Sequence, residues 1–230
     1  MEHPGSEGVA LHLEAKASRL RGGRDALPPS VRILAGVDEA GRGALAGPVV
    51  AAAVALPAER EIPGVRDSKL LSPARRATLE EGIRSGCLAW SVGLAAVEEI
   101  DRLNVLRASL LAMRRALLGL SGKPSVVRVD GPYLPEMPAN WRRGVELEAM
   151  IGGDRRCPLI AAASIVAKEH RDRLMRRLDL RWPGYRLAEH KGYAVPAHRA
   201  ALERLGASPA HRRSFRPVRA VGPAHDGNRP

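Results

Sequence analysis

Apolar residues fall along the chain in short blocks separated by glycine, proline and charge, and the first clear pair of blocks frames an acidic corner. Val31 to Val37 ends on Asp38-Glu39; a glycine-rich turn follows, and a second apolar run occupies Val49 to Leu56. Runs of this length bounded by Gly and Pro predict interior strands, and Pro48 suits the start of a strand better than its middle. Pro57 to Leu71 reads as a loop holding Asp67-Ser68-Lys69, after which Ser72-Pro73 offers an N-cap and a first-turn proline for a helix to about Arg84. Cys87 to Ala95 predicts a third strand, so the opening strands form a meander at one side of a sheet. Leu103, Leu106, Leu110, Met113, Leu117 and Leu120 alternate spacings of three and four, which predicts one amphipathic helix with a core-packing stripe. Ser125 to Val129 is a β-branched strand ending on Asp130, and Val145 to Ile151 is another, followed by Gly152-Gly153-Asp154. Ile160 to Leu180 then predicts an alanine-rich helix whose far half is crowded with arginine.

Composition narrows the class. A chain of 230 residues holds one substantial core. The expected layout is a loosely attached extension over 1–30, a single domain over 31–218 and a tail over 219–230. No apolar run approaches the roughly 20 residues that span a bilayer, and Met1 to Arg24 lacks the continuous apolar segment of a secretory signal, so the expected location is the cytoplasm, with no membrane partner. Cys87 and Cys157 are far apart and in no metal-ligand spacing, which argues against a disulfide framework or a zinc site. The net charge of +12 points to a polyanionic partner, and its distribution says where. Lys168 to Pro230 carries 15 Lys and Arg against 6 Asp and Glu, making that segment the expected backbone-binding surface.

The candidate chemistry lies at strand ends. Asp38 with Glu39, then Asp130, then Asp154 all follow predicted strands, and a central first strand with parallel neighbours would bring Asp38 and Asp130 to one rim, where open α/β folds carry their sites. Crowded carboxylates repel unless hard cations neutralise them, and oxygen-only ligands suit Mg²⁺ or Mn²⁺. Two such ions roughly 3.5–4 Å apart serve in-line displacement at a phosphodiester. Beside them, Gly41-Arg42-Gly43 puts a cation between two residues without side chains, so backbone N–H groups and a guanidinium can approach a phosphate closely. The bare residues leave alternatives open: an Asp-Glu pair can be a solvated turn, Asp172 rivals Asp154 as a fourth ligand although its expected role is a helix-surface ion-pair partner, and a basic binding protein would explain the charge. His190, His198 and His211 are expected to be structural or surface residues, because a metal-activated water needs no histidine.

Eight motifs in order carry a resemblance. GVDEAGRG (Gly36 to Gly43), LAGPVVAAAV (Leu45 to Val54), DSKLLS (Asp67 to Ser72), VDGP (Val129 to Pro132), GD (Gly153-Asp154), AAASIVAK (Ala161 to Lys168), HKGY (His190 to Tyr193) and HRRSF (His211 to Phe215) resemble bacterial ribonuclease HII over about Ile33 to Val218. The resemblance implies an α/β, RNase H-like fold with a mixed central sheet of about five strands flanked by helices, and a basic helical C-terminal region. It implies an endonuclease that cuts the RNA strand of RNA–DNA hybrids, nicks 5′ of single ribonucleotides embedded in duplex DNA, and leaves 3′-hydroxyl and 5′-phosphate ends; the expected state of the chain is a monomer. Asp38, Glu39, Asp130 and Asp154 would then bind two divalent ions, Mn²⁺ or Mg²⁺. Gly41, Arg42 and Gly43 would grip the nucleic-acid backbone and sense the 2′-hydroxyl, Tyr193 would stack on the following sugar, and Lys69, Ser164 and Lys168 would face phosphates. The chain departs from the family pattern at Ala44, where a proline is usual, at Gly152, where a lysine often stands, and at Glu169-His170; none is a carboxylate of the set.

Overall fold

The computed structural model describes residues 32–58, 64–65 and 72–223. The expected extension over 1–30, Lys69 and the end of the expected tail, 224–230, lie outside the described residues.

Two buried strands open the sheet, β1 (Ile33–Ala40) and β2 (Val49–Pro57), paired antiparallel. Strand β2 is buried on both faces, which its small Ala and Val side chains permit. The helix expected after Ser72 is α1 (Pro73–Gly86), and the Ser72 side chain accepts from the Arg75 N–H. The third strand, β3 (Ala89–Ala95), completes the expected meander by pairing antiparallel with β2. The single helix expected over the leucine stripe is two, α2 (Val97–Leu103) and α3 (Val105–Leu118). Asn104, at φ 70°, breaks the helical path between them and caps α3 by accepting from the Arg107 N–H, a turn that apolar periodicity cannot register.

β4 (Val126–Asp130) returns parallel to β1, then come a short α4 (Ala139–Arg142) and β5 (Glu146–Met150), parallel to β4. The sheet order is β3-β2-β1-β4-β5, so β1 is central. This mixed five-stranded sheet flanked by helices has the expected RNase H-like α/β architecture. After a one-turn α5 (Gly153–Arg156), the long α6 (Pro158–Arg181) crosses β1 and β2. The crossing is close: a Cβ on Gly36 would lie 2.3 Å from the Leu159 carbonyl carbon, so glycine is required there.

One apolar cluster lies between the sheet and α2–α3, and a second between the sheet and α6 with α1. A third joins Leu45 and Ala46 to the far half of α6 and to the C-terminal helices α7 (Leu187–His190), α8 (Pro196–Leu205) and α9 (Arg216–Arg219). The turn after β1 is therefore seated on the basic helical region. No described helix is long and apolar enough to cross a membrane.

Candidate functional site

Strand periodicity and parallel register together build the site. Val37 pairs with Val129, so Asp38 and Asp130 follow one residue later on neighbouring parallel strands. With Leu34, Gly36 and Ala40 turned toward α6, alternation puts Asp38 on that same covered face. Asp38 is only 5% exposed. Its Oδ1 accepts from the Glu39 N–H at 2.7 Å, and the Ser164 hydroxyl on α6 donates to the carboxylate. Burial, then the charges of Glu39 and Asp130, hold the Asp38 carboxyl well above its ordinary range. Glu39 is raised for the same first reason, offset by Arg42, whose guanidinium lies 3.6 Å away, and raised further by Asp130. Asp38, Glu39 and Asp130 thus share one electrostatic site at the sheet rim.

Asp154 lies on a segment that meets that rim by a different route. It sits in α5, 6% exposed, next to Gly153, whose N–H donates to Asp130 Oδ1 at 2.8 Å. Among the described residues, no three carboxylate, histidine or cysteine side chains close into a ready-made metal cage. The donor set nevertheless fits a hard divalent cation: carboxylate oxygens only, at least partly buried, with Glu39 and Asp130 repelling Asp38 and Arg42 near Glu39.

The rival ligand Asp172 lies elsewhere. Expected as a helix-surface partner, it is buried, with Lys168 Nζ at 2.7 Å and Arg76 Nη2 at 3.5 Å. Apolar periodicity misses this because α1 closes over that side of α6, where Arg76 also donates to Glu169 at 2.6 Å. Lys168 is consequently engaged with Asp172, and its Nζ is 6.0 Å from the centre of the Tyr193 ring. Tyr193 keeps 37% of its surface exposed while Arg171 lies 5.5 Å from the same ring. Ser164 turns its hydroxyl to Asp38 rather than outward.

Gly41, Arg42 and Gly43 form the turn leaving β1. Gly41 has φ 90°, and a Cβ there would lie 1.8 Å from Arg171 Nε; a Cβ on Gly43 would meet nothing within 4 Å. Arg171 and Arg212 stand behind this turn and are the residues that sequence reasoning missed. Both are fully buried, and among the described residues neither forms an ion pair. Arg171 donates to the carbonyls of Ala46, Pro48 and Lys191 at 2.9–3.0 Å. Arg212 donates to those of Gly47, Arg42 and Gly41 at 2.7–2.9 Å, with the Phe215 ring 5.3 Å away. Burial, then the Arg171 charge, brings Arg212 down to about 9, still cationic at neutral pH. The one available signal was the HRRSF motif, and a string of arginines does not say which is buried.

Histidines lock the adjoining segment. His198 Nδ1 lies 3.0 Å from the Tyr193 carbonyl, its Nε2 is 3.0 Å from His211 Nε2, and His211 Nδ1 is 2.8 Å from Ser208 Oγ. His198 therefore carries its proton on Nδ1 and His211 on Nε2, and His190 stacks on His198 at 4.4 Å. Burial, then the neighbouring His198, pushes His211 down to about 3. These are structural histidines, as expected, and they brace the segment that carries Tyr193.

Comparison with known proteins agrees with this geometry. The family model described as Ribonuclease HII matches residues 35–218. The chain is 56% identical over 188 residues to Ribonuclease HII of Thiobacillus denitrificans (strain ATCC 25259 / T1), covering 82% of this chain and 89% of the relative. It is 50% identical over 193 residues to Ribonuclease HII of Coxiella burnetii (strain Dugway 5J108-111), covering 84% and 93%. The crystal structure of ribonuclease H2 from Pyrococcus horikoshii OT3 superposes with a TM-score of 0.68 at 29% identity, covering 82% of this chain and 96% of that one.

Proposed function

Because the chain belongs to the ribonuclease HII family and is a ribonuclease H, an endonucleolytic hydrolase acting on RNA–DNA hybrids, we propose that it cuts the RNA strand at the rim formed by Asp38, Glu39, Asp130 and Asp154. The cut leaves 3′-hydroxyl and 5′-phosphate ends, and the same site nicks 5′ of a single ribonucleotide embedded in duplex DNA. Asp38, Glu39 and Asp130 would hold two divalent ions, Mn²⁺ or Mg²⁺, with Asp154 completing the set. When bound, such ions polarise the phosphodiester, make a water nucleophilic near neutral pH and stabilise the departing oxygen.

The chain's own groups bind and orient. Ser164 fixes the Asp38 carboxylate. Arg42, whose exposed guanidinium lies 3.6 Å from Glu39, has the charge and the reach to meet a phosphate at this rim. Gly41, Arg42 and Gly43 bring the backbone close and read the 2′-hydroxyl, Tyr193 stacks on the following sugar with its exposed ring, and Lys168 and Lys69 meet phosphates. Residues 31–218 act as one catalytic unit, as a monomer in the cytoplasm, with 1–30 and 219–230 as appendages.

The single observation that carries this reading is the in-register pair Asp38 and Asp130 beside Glu39 at one rim, where burial and then the neighbouring Glu39 and Asp130 charges raise Asp38, immediately before a turn open to a ligand. The test is a DNA duplex with one embedded ribonucleotide, incubated with Mg²⁺ or Mn²⁺. Cleavage on the 5′ side of that ribonucleotide is expected; cutting of an all-DNA duplex, or binding without cutting, refutes it.

A further inference from the structure

Two buried arginines that form no ion pair among the described residues are an unusual arrangement, because a buried cation is expensive unless paired or fully hydrogen-bonded. Here the compensation comes from main-chain carbonyls. All three donor atoms of the Arg212 fork are engaged, on Gly47, Arg42 and Gly41. Arg171, one helical segment away, holds Ala46, Pro48 and Lys191 in the same manner.

The consequence for the turn follows from peptide geometry. In a planar trans peptide, the C=O of one residue and the N–H of the next point in opposite directions. Drawing the Gly41 and Arg42 carbonyls inward onto Arg212 therefore turns the N–H groups of Arg42 and Gly43 outward. Arg42 and Gly43 are exposed, and among the described residues neither N–H has an acceptor. Nothing lies within 4 Å of where a Gly43 Cβ would stand. Successive N–H groups presented in this way form a concavity suited to an anion.

We propose that Arg212 is a positioning residue for substrate: by capturing the Gly41 and Arg42 carbonyls it fixes the Arg42 and Gly43 N–H groups outward as the donors for one phosphodiester oxygen pair. The inference rests on the reading of Gly41 to Gly43 as the backbone grip. Arg212 touches no substrate itself. A lysine at 212 keeps the positive charge and has no planar fork with which to hold three carbonyls, so Arg212→Lys separates orientation from electrostatics.

The experiment is a cycle between protein variant and substrate modification. Affinity for a duplex carrying one ribonucleotide is read by fluorescence anisotropy in EDTA, with neutral methylphosphonate placed in turn at each phosphate flanking the ribonucleotide. In the parent, one position is expected to lose on the order of 10-fold in affinity, as for loss of a charged hydrogen-bond acceptor. In Arg212→Lys the unmodified duplex binds on the order of 10-fold more weakly, and methylphosphonate at that same position makes no further difference, because coupled contacts are not additive. Equal losses from methylphosphonate in parent and variant overturn the proposal while leaving the backbone grip intact. A parent indifferent to methylphosphonate at every position overturns the grip itself, and the proposal with it. Should Arg212→Lys fail to fold, Phe215→Leu, which loosens the guanidinium without removing it, is taken through the same cycle with the same readings.

Discussion

Asp38→Asn is expected to make the metal-free protein more stable and the metal-loaded protein less stable than the parent. The substitution is isosteric and keeps an oxygen to accept from the Glu39 N–H, 2.7 Å from the present carboxylate. What it removes is a buried negative charge beside Glu39 and Asp130. Relieving strain of this kind at a functional site is worth about 1–2 kcal/mol, or roughly 2–8 °C in a chain of this size. In EDTA, thermal unfolding of Asp38→Asn should therefore lie above that of the parent. Divalent ion at a hundred times its dissociation constant adds about 2.7 kcal/mol to a protein that binds it only when folded; the variant, short of one ligand, gains less, and the order of the two melting temperatures inverts.

The pH dependence supplies an internal control. Asp38 and Glu39 both have folded values above the ordinary ones of 3.8 and 4.5, so the stability they allow is fully present below those values and is lost as pH rises through the higher folded values. The metal-free parent should lose stability as pH climbs from about 4 toward neutrality, Asp38→Asn should lose less, and the two should converge in acid. A variant less stable than the parent in EDTA at neutral pH would show that the Asp38 charge is compensated rather than strained. Equal stabilisation of both proteins by Mn²⁺ would remove Asp38 from the ligand set.

Three further outcomes are expected. Gly43→Ala should unfold within about 0.5 kcal/mol of the parent, since its Cβ enters open space, yet cut a single-ribonucleotide duplex on the order of 10-fold more slowly; unchanged cleavage would mean that nothing approaches that surface. Gly36→Ala, whose Cβ would lie 2.3 Å from the Leu159 carbonyl carbon, should cost more than about 3 kcal/mol in urea unfolding, and a milder loss would mean α6 can move off β1. His211, ordinarily near 6.5 and here about 3, contributes stability that is present above 6.5 and lost as pH falls toward 3, at about 1.4 kcal/mol per pH unit. His211→Gln should flatten that slope in chemical unfolding measured across the window, and an unchanged slope would assign the acid sensitivity to other groups.

The sheet was legible because its signals are local. Val49 to Leu56 and Ser125 to Val129 are apolar runs with clear boundaries, and the register that unites Asp38 with Asp130 follows once β1 is central. The break at Asn104 was not legible, since the leucine stripe continues through it. Asp172 was misread as a surface residue because its burial depends on Arg76, from a helix nearly a hundred residues away in the chain. Arg171 and Arg212 were invisible for the same reason: their partners are backbone carbonyls, which every residue possesses and no sequence motif records. Long-range closure, not local propensity, decides which charges are buried.

That closure gives the rim its electrical character. In front of the turn lie carboxylates that repel one another, and behind it lie buried guanidiniums that form no ion pair among the described residues. Their arrangement is complementary to a divalent cation and a phosphodiester arriving together. A bound cation would relieve the front, and an anion held by the N–H groups that Arg212 is proposed to orient would sit within the positive field of the back. Each component therefore improves the site for the other, and linkage requires that the coupling be mutual: whatever the metal adds to hybrid affinity, the hybrid adds to metal affinity. Among the described residues the carboxylates form no preformed cage, and a substrate phosphate would then supply part of a bound ion's coordination.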